Sequence, residues 1–157
     1  MNKLSHVNEL GQANMVDVTN KEETFRSAKA EGTVHLPNEI LSQFINGEWN
    51  SPKGAVLQTA RLAGIQAVKQ TSTLIPLCHP LAISFAEVNL EIRGNEVKIT
   101  CEVKCSGKTG VEMEALTGVS VAALTVYDMV KAISFQSTIS EIKLVEKFGG
   151  KSDFSHV

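Results

Sequence analysis

The stretch Val88-Asn-Leu-Glu-Ile-Arg-Gly-Asn-Glu-Val-Lys-Ile-Thr-Cys-Glu-Val-Lys-Cys105 alternates apolar and polar residues on both sides of Gly94-Asn95. Period-two alternation puts Val88, Leu90 and Ile92 on one face of a strand. It does the same for Val97, Ile99, Cys101, Val103 and Cys105 on a partner strand, and Gly-Asn supplies a tight turn. The stretch therefore predicts an antiparallel hairpin with one buried face. Just upstream, Ile83 and Phe85 are out of phase with Val88, which predicts a bulge near Ala86.

Other elements fall into place around this hairpin. Downstream, Ser106 to Gly110 reads as a turn. A long helix follows from about Glu114 to Ile133, with Leu116, Val119, Ala123, Val126 and Val130 on its core face. A last strand fits Ile139 to Val145, before Gly149-Gly150. Upstream, Ala28, Ala30, Gly32, Val34 and Leu36 share one face of a first strand. Pro37 suits the opening of a short helix carrying Ile40, Leu41, Phe44 and Ile45, with Gly47 as its C-cap. Residues 48–53 read as a loop. A second helix, Gly54 to Gln70, carries a small-residue stripe at Ala60, Ala63, Gly64 and Ala67. Pro76 and Pro80 mark Thr71 to Leu81 as irregular. The order β-α-α-β-β-α-β is the split βαβ arrangement of ferredoxin-like folds with one helix added. The expected class is α+β, an antiparallel sheet with helices packed on one face. One domain over 1–157 is expected, with an arm at 1–23 and a flexible tail at 147–157.

Composition bounds the function. Hydrophobic residues make up 43% and charged residues 20%, as in globular domains that fold without staples. The net charge of −2 gives no whole-molecule attraction to nucleic acid, so a nucleotide ligand needs a local cluster of Lys or Arg. Cys78, Cys101 and Cys105 are odd in number and lack paired spacing, which argues against a disulfide framework or a structural zinc site. The polar first residues show no apolar leader, and no run of about 18 apolar residues occurs, so a cytoplasmic protein without membrane or nucleic-acid partners is expected.

Several residues invite chemical readings. Gly107-Lys108-Thr109 falls short of a phosphate loop, because the signature needs a glycine five residues before Gly107 and Glu102 stands there. Gly107 and Gly110 then read as turn residues, while Lys108 stays available to face a phosphate. In Leu77-Cys78-His79-Pro80 the histidine has a fixed place, either toward a ligand or toward the loop backbone. A Cys78–His79 nucleophilic dyad is disfavoured, since neighbours in an extended segment point to opposite sides. Glu112 and Glu114 suit the positive end of a helix as ordinary electrostatics. Asp128 and Lys131, at i and i+3, are either an exposed ion pair of little consequence or a functional pair. The second reading gains from the nearly all-round apolar stretch Val119 to Val130, which suggests burial or an interface.

Three segments carry a resemblance: Met15-Val-Asp-Val-Thr19; Leu74-Ile-Pro-Leu-Cys-His-Pro-Leu81; and Gly107-Lys-Thr-Gly-Val-Glu-Met-Glu-Ala-Leu-Thr117 leading to Tyr127-Asp-Met-Val-Lys-Ala132. In order and spacing the chain resembles the cyclic pyranopterin monophosphate synthases, the MoaC family. The resemblance implies a ferredoxin-like fold and a homohexamer, a trimer of dimers with active sites at the dimer interface. The implied substrate is 3′,8-cyclo-7,8-dihydroguanosine 5′-triphosphate, converted to cyclic pyranopterin monophosphate with loss of pyrophosphate. Catalytic roles fall on Asp128, Lys131 and Lys53. Substrate contacts fall on Leu77, Cys78, His79, Glu112, Met113 and Glu114. Basic positions near the triphosphate fall on Lys21, Arg26, Lys147 and Lys151. No redox cofactor is implied, and no residue set demands magnesium or another metal. Two departures stand out: Gly149-Gly-Lys-Ser-Asp-Phe154 lacks a glycine usual before the aspartate, and Phe148 replaces a small residue. Both bear on the tail and on Lys151. A non-catalytic ligand-binding module and a structural oligomerisation domain are the competing readings.

Overall fold

The computed structural model describes residues 6–156; Met1 to Ser5 of the expected arm and Val157 of the expected tail lie outside them. The chain runs β1 (Thr24–His35), α1 (Asn38–Leu41), β2 (Asn50–Ser51), β3 (Gly54–Ala55), α2 (Val56–Lys69), α3 (Thr71–Leu74), β4 (Ile83–Arg93), β5 (Glu96–Gly107), α4 (Glu112–Val130), β6 (Thr138–Phe148) and β7 (Phe154–Ser155). The main sheet is antiparallel throughout, in the order β4-β5-β1-β6-β7. Without the short β7, that is the ferredoxin-like order.

The β4–β5 hairpin closes at Arg93 opposite Glu96, with Gly94 at φ +60°. Its register shift falls between Ile83 and Phe85, so the bulge sits at Ser84, two residues before the expected place. Ala28, Ala30 and Val34 of β1, Val97 to Cys105 of β5 and Val119 to Val130 of α4 bury into one core. Helices α2 and α4 cover one face of the sheet and cross closely at glycine. A Cβ on Gly64 would lie 2.9 Å from the Gly118 carbonyl, and one on Gly118 would lie 2.6 Å from Cys101 Sγ. The small-residue stripe of α2 thus sets the helix spacing. Gly32 does the same on the sheet, where a Cβ would meet Val119 at 2.7 Å.

The first helical region differs from expectation. Helix α1 stops at Leu41, and Gly47 is a turn residue instead of a C-cap. Asn46 and Gly47 both take positive φ, +52° and +80°, and Ile45 and Glu48 exchange backbone hydrogen bonds across them. This is the Asn-Gly hairpin turn, whose two left-handed positions those residues tolerate. Residues 48–53, expected as a loop, contain the first strand of a second small hairpin, β2–β3. Thr71–Leu74 is helical inside the segment expected to be irregular. At the other end, Lys147 and Phe148 belong to β6, and Phe154–Ser155 pairs with it.

Candidate functional site

Helix α4 organises the candidate residues because it runs unbroken from Glu112 to Val130. Glu114 and Asp128 lie 14 residues apart on it, about 21 Å along its axis at 1.5 Å per residue. The candidate residues therefore form two groups, one at each end of the helix.

At the C-terminal end, Asp128 lies between two ammonium groups. Lys131 Nζ is 2.7 Å from Asp128 Oδ1, and Lys53 Nζ is 3.0 Å from Oδ2. Lys53 also donates to the Asp128 carbonyl at 3.1 Å, at the end of α4 where unpaired carbonyls favour a cation. Hydrogen bonds from Lys131, then Lys53, hold the Asp128 carboxyl below its usual range, and Asp128 in turn raises Lys131. The sequence suggested a pair shielded within an apolar helix. In the single chain, however, the Asp128 and Lys131 side chains are 53% and 44% exposed. Position 128 falls on the stripe of α4 that neither the sheet nor α2 covers.

At the N-terminal end, a pocket of about 330 Å³ is lined by Leu77, Cys78, His79, Glu112, Met113 and Glu114, with Lys21 and Lys151 at its side. All six substrate-contact candidates therefore converge. His79 Nε2 donates to the Val16 carbonyl at 2.8 Å, which ties the N-terminal arm across the pocket. Cys78 and His79 both border this pocket, so the opposite-sides argument does not by itself decide the dyad. The dyad is disfavoured for other reasons: the His79 Nε2 is engaged elsewhere, and burial, followed by the nearby Glu114, pushes the Cys78 thiol up, away from the thiolate. Glu114 is only 4% exposed, and burial raises its carboxyl to about 7, with Glu112 adding to the effect.

The pocket opens into a basic groove of about 920 Å³ bearing Lys21, Arg26, Lys108, Lys147 and Lys151. The tail shapes this groove. Gly149 and Gly150 take φ of +80° and +99°, and a Cβ at Gly150 would collide with the Arg26 guanidinium. Gly149 N–H donates to Asp153 Oδ1 at 3.0 Å, which closes the turn that holds Lys151 at the groove. Lys147 pairs with Glu112 at 3.1 Å and so joins groove to pocket. Lys108, available from the sequence but not assigned a role there, lines the groove and donates to the Thr19 carbonyl at 2.8 Å. The β2–β3 hairpin that carries Lys53 does not follow from the sequence reading, although Pro52 and Gly54 at its turn were signals for it.

Chemically, one end offers a carboxylate clamped by ammonium groups. The other offers a buried carboxyl poised near neutrality beside a cationic trough fit for a polyanion. Two carboxyls whose surroundings push their pKa values apart are the usual basis of paired acid and base roles. Among the described residues no three His, Cys, Asp or Glu side chains converge as a metal-ligand group. All three cysteines are free. The sequence model of the MoaC family matches residues 15–150, so the match takes in both ends of α4 and all thirteen candidate residues except Lys151.

Proposed function

Because the chain belongs to the MoaC family, which acts in molybdenum cofactor biosynthesis, we propose that it converts 3′,8-cyclo-7,8-dihydroguanosine 5′-triphosphate to cyclic pyranopterin monophosphate and pyrophosphate by acid–base catalysis. The observation that carries this reading is the Asp128 carboxylate held at 2.7 and 3.0 Å by Lys131 and Lys53. It stands on the same helix whose other end borders the polyanion groove.

The conversion needs ring opening, reclosure into a pterin, and attack of a substrate oxygen on the α-phosphorus. That attack forms one O–P bond and breaks the bond to the departing pyrophosphate. The demands on the protein are proton transfer and neutralisation of developing charge. The lysines beside Asp128 can donate protons and stabilise oxyanions. Asp128 holds both in place and raises Lys131. Glu114, near its midpoint at neutral pH, can exchange a proton with the heterocycle. The groove cations Lys21, Arg26, Lys147 and Lys151 suit the triphosphate, and their binding should weaken as salt rises.

The separation of about 21 Å between Glu114 and Asp128 along one helix supports a further element of the proposal: a complete site takes the N-terminal group of one chain and the Asp128 group of another. The decisive assay is incubation of the purified chain with the cyclised GTP derivative, followed by measurement of pyrophosphate and a pterin product. Release of both in equal amounts is expected. Tight binding without either product would instead favour a ligand-binding module.

A further inference from the structure

Lys53 sits at the tip of a hairpin whose two strands are only two residues each, and this hairpin is not hydrogen-bonded into the five-stranded sheet. Such a hairpin does not hold an ammonium in place unaided. Helix α2, which follows directly, poses a related problem. Its N-cap position is Ala55, which makes no side-chain cap, so its first N–H groups need acceptors from elsewhere. Glu48 answers both needs. Its Oε1 accepts from Trp49 N–H and from Leu57 N–H, each at 2.9 Å, and its Oε2 accepts from Gln58 N–H at 3.1 Å.

We propose that Glu48 is a positioning residue for Lys53: its carboxylate closes residues 48–58 into a loop that holds the Lys53 ammonium against Asp128. The inference rests on the function proposed above. A cap drawn from any neighbour would stabilise α2. Glu48 differs because the acceptor comes from the start of the very segment that carries Lys53, so one carboxylate fixes both ends of the hairpin. Within that closed loop, Val56 N–H donates to the Trp49 carbonyl at 2.9 Å. Ser51 Oγ donates to the Gly54 carbonyl at 3.0 Å and accepts from Lys53 N–H at 3.1 Å. Trp49 packs edge-on against Phe44, ring centroids 6.1 Å apart, and so seats the loop on the core. From this frame Lys53 reaches both the carboxylate and the backbone carbonyl of Asp128. Loss of the Glu48 carboxylate frees the hairpin to move relative to α4, and small misplacements of a reacting group cost large factors in rate.

The test is steady-state kinetics of the full chain with the cyclised GTP derivative, well below the melting temperature of every variant. Glu48→Ala is expected to lower kcat about tenfold or more while KM stays within about twofold. Glu48→Gln, which keeps one acceptor oxygen, should recover part of the loss. In a Lys53→Ala background, Glu48→Ala should cost nothing further, because both changes act through one ammonium. Val68→Ala, a core truncation in the same helix, should lower stability and leave kcat of the folded enzyme unchanged. Unchanged kcat in Glu48→Ala, or a loss that multiplies with that of Lys53→Ala, overturns the proposal. If the wild-type chain turns nothing over, the functional reading alone fails. Positioning is then read from the Lys53 side-chain NMR resonance, which Glu48→Ala should move toward that of a free lysine; an unmoved resonance overturns it.

Discussion

Asp128 and Glu114 are both carboxyls on α4, yet their surroundings drive them in opposite directions. Asp128 is half exposed, so its ion pairs with Lys53 and Lys131 add little to stability. Asp128→Asn is therefore expected to melt within a few degrees of wild type while turnover is abolished. A variant with both normal melting and near-normal turnover would remove Asp128 from the chemistry. Glu114 is buried and pushed up to about 7 from an ordinary 4.5. Between those values the folded chain binds the Glu114 proton more tightly than the unfolded chain does. The stability it provides is whole below about pH 4.5 and is lost as pH rises through about 7. Glu114→Gln cannot ionise, so relative to wild type it should gain about 1–3 kcal/mol between pH 4.5 and pH 8. Denaturation midpoints measured across that range test the sign, and parallel curves for the two proteins would refute it.

The elements show how far the sequence could be read. The hairpin β4–β5, the first strand and the long helix follow from hydrophobic period alone, because each buries one continuous face. The short pieces between them do not. Helical spacing groups Ile45 with Ile40, Leu41 and Phe44, yet Ile45 is exposed beside an Asn-Gly turn. In a segment that brief, turn chemistry outweighs apolar spacing. The N-terminal half of the site was legible as a fixed loop, Leu77 to Pro80, near a helix start. Its partnership with Lys147 and Arg26 depends on the β1–β6 pairing, which is long-range. Lys53 came only from the resemblance, since nothing in its neighbourhood points to Asp128, 75 positions away. The α2–α4 crossing gives this scale its own prediction. Gly118→Ala would drive a Cβ to 2.6 Å from Cys101 Sγ and 2.8 Å from Val68 Cγ2, between a strand and a helix that cannot both retreat. It should destabilise the chain by about 1–3 kcal/mol through overpacking. Urea midpoints would show this, and an unshifted midpoint would mean the crossing relaxes freely.

For the whole molecule, the telling feature is what α4 leaves uncovered. Met113, Leu116, Ser120, Leu124 and Asp128 form a stripe at helical spacing that is at least partly exposed along the full helix, and Leu124 is 58% exposed. The stripe runs from the N-terminal pocket to the Asp128 cluster, and between them it is apolar at Leu116 and Leu124, while the Ser120 hydroxyl is turned back onto the Leu116 carbonyl. If two chains pair antiparallel along it, with a two-fold axis near Val121, one chain's Glu114 faces its partner's Asp128 and the apolar middle is removed from water. A fold-back that would bring both ends into one chain's site is excluded, because α4 is one continuous helix from Glu112 to Val130. Subunit mixing tests the pairing. Asp128→Asn chains and Glu112→Ala/Glu114→Ala chains should each be inactive alone. A mixed dimer joins the intact Glu114 of the first chain to the intact Asp128 of the second, while its other site carries both lesions. With random pairing, an equimolar co-assembled sample should recover up to about a quarter of wild-type activity, since half the dimers are mixed and each holds one working site of two. Recovery should require subunit exchange, so it should be absent immediately after mixing preformed oligomers and grow as they exchange. Verified mixed dimers with no activity would show that one chain's two ends do not serve a shared site.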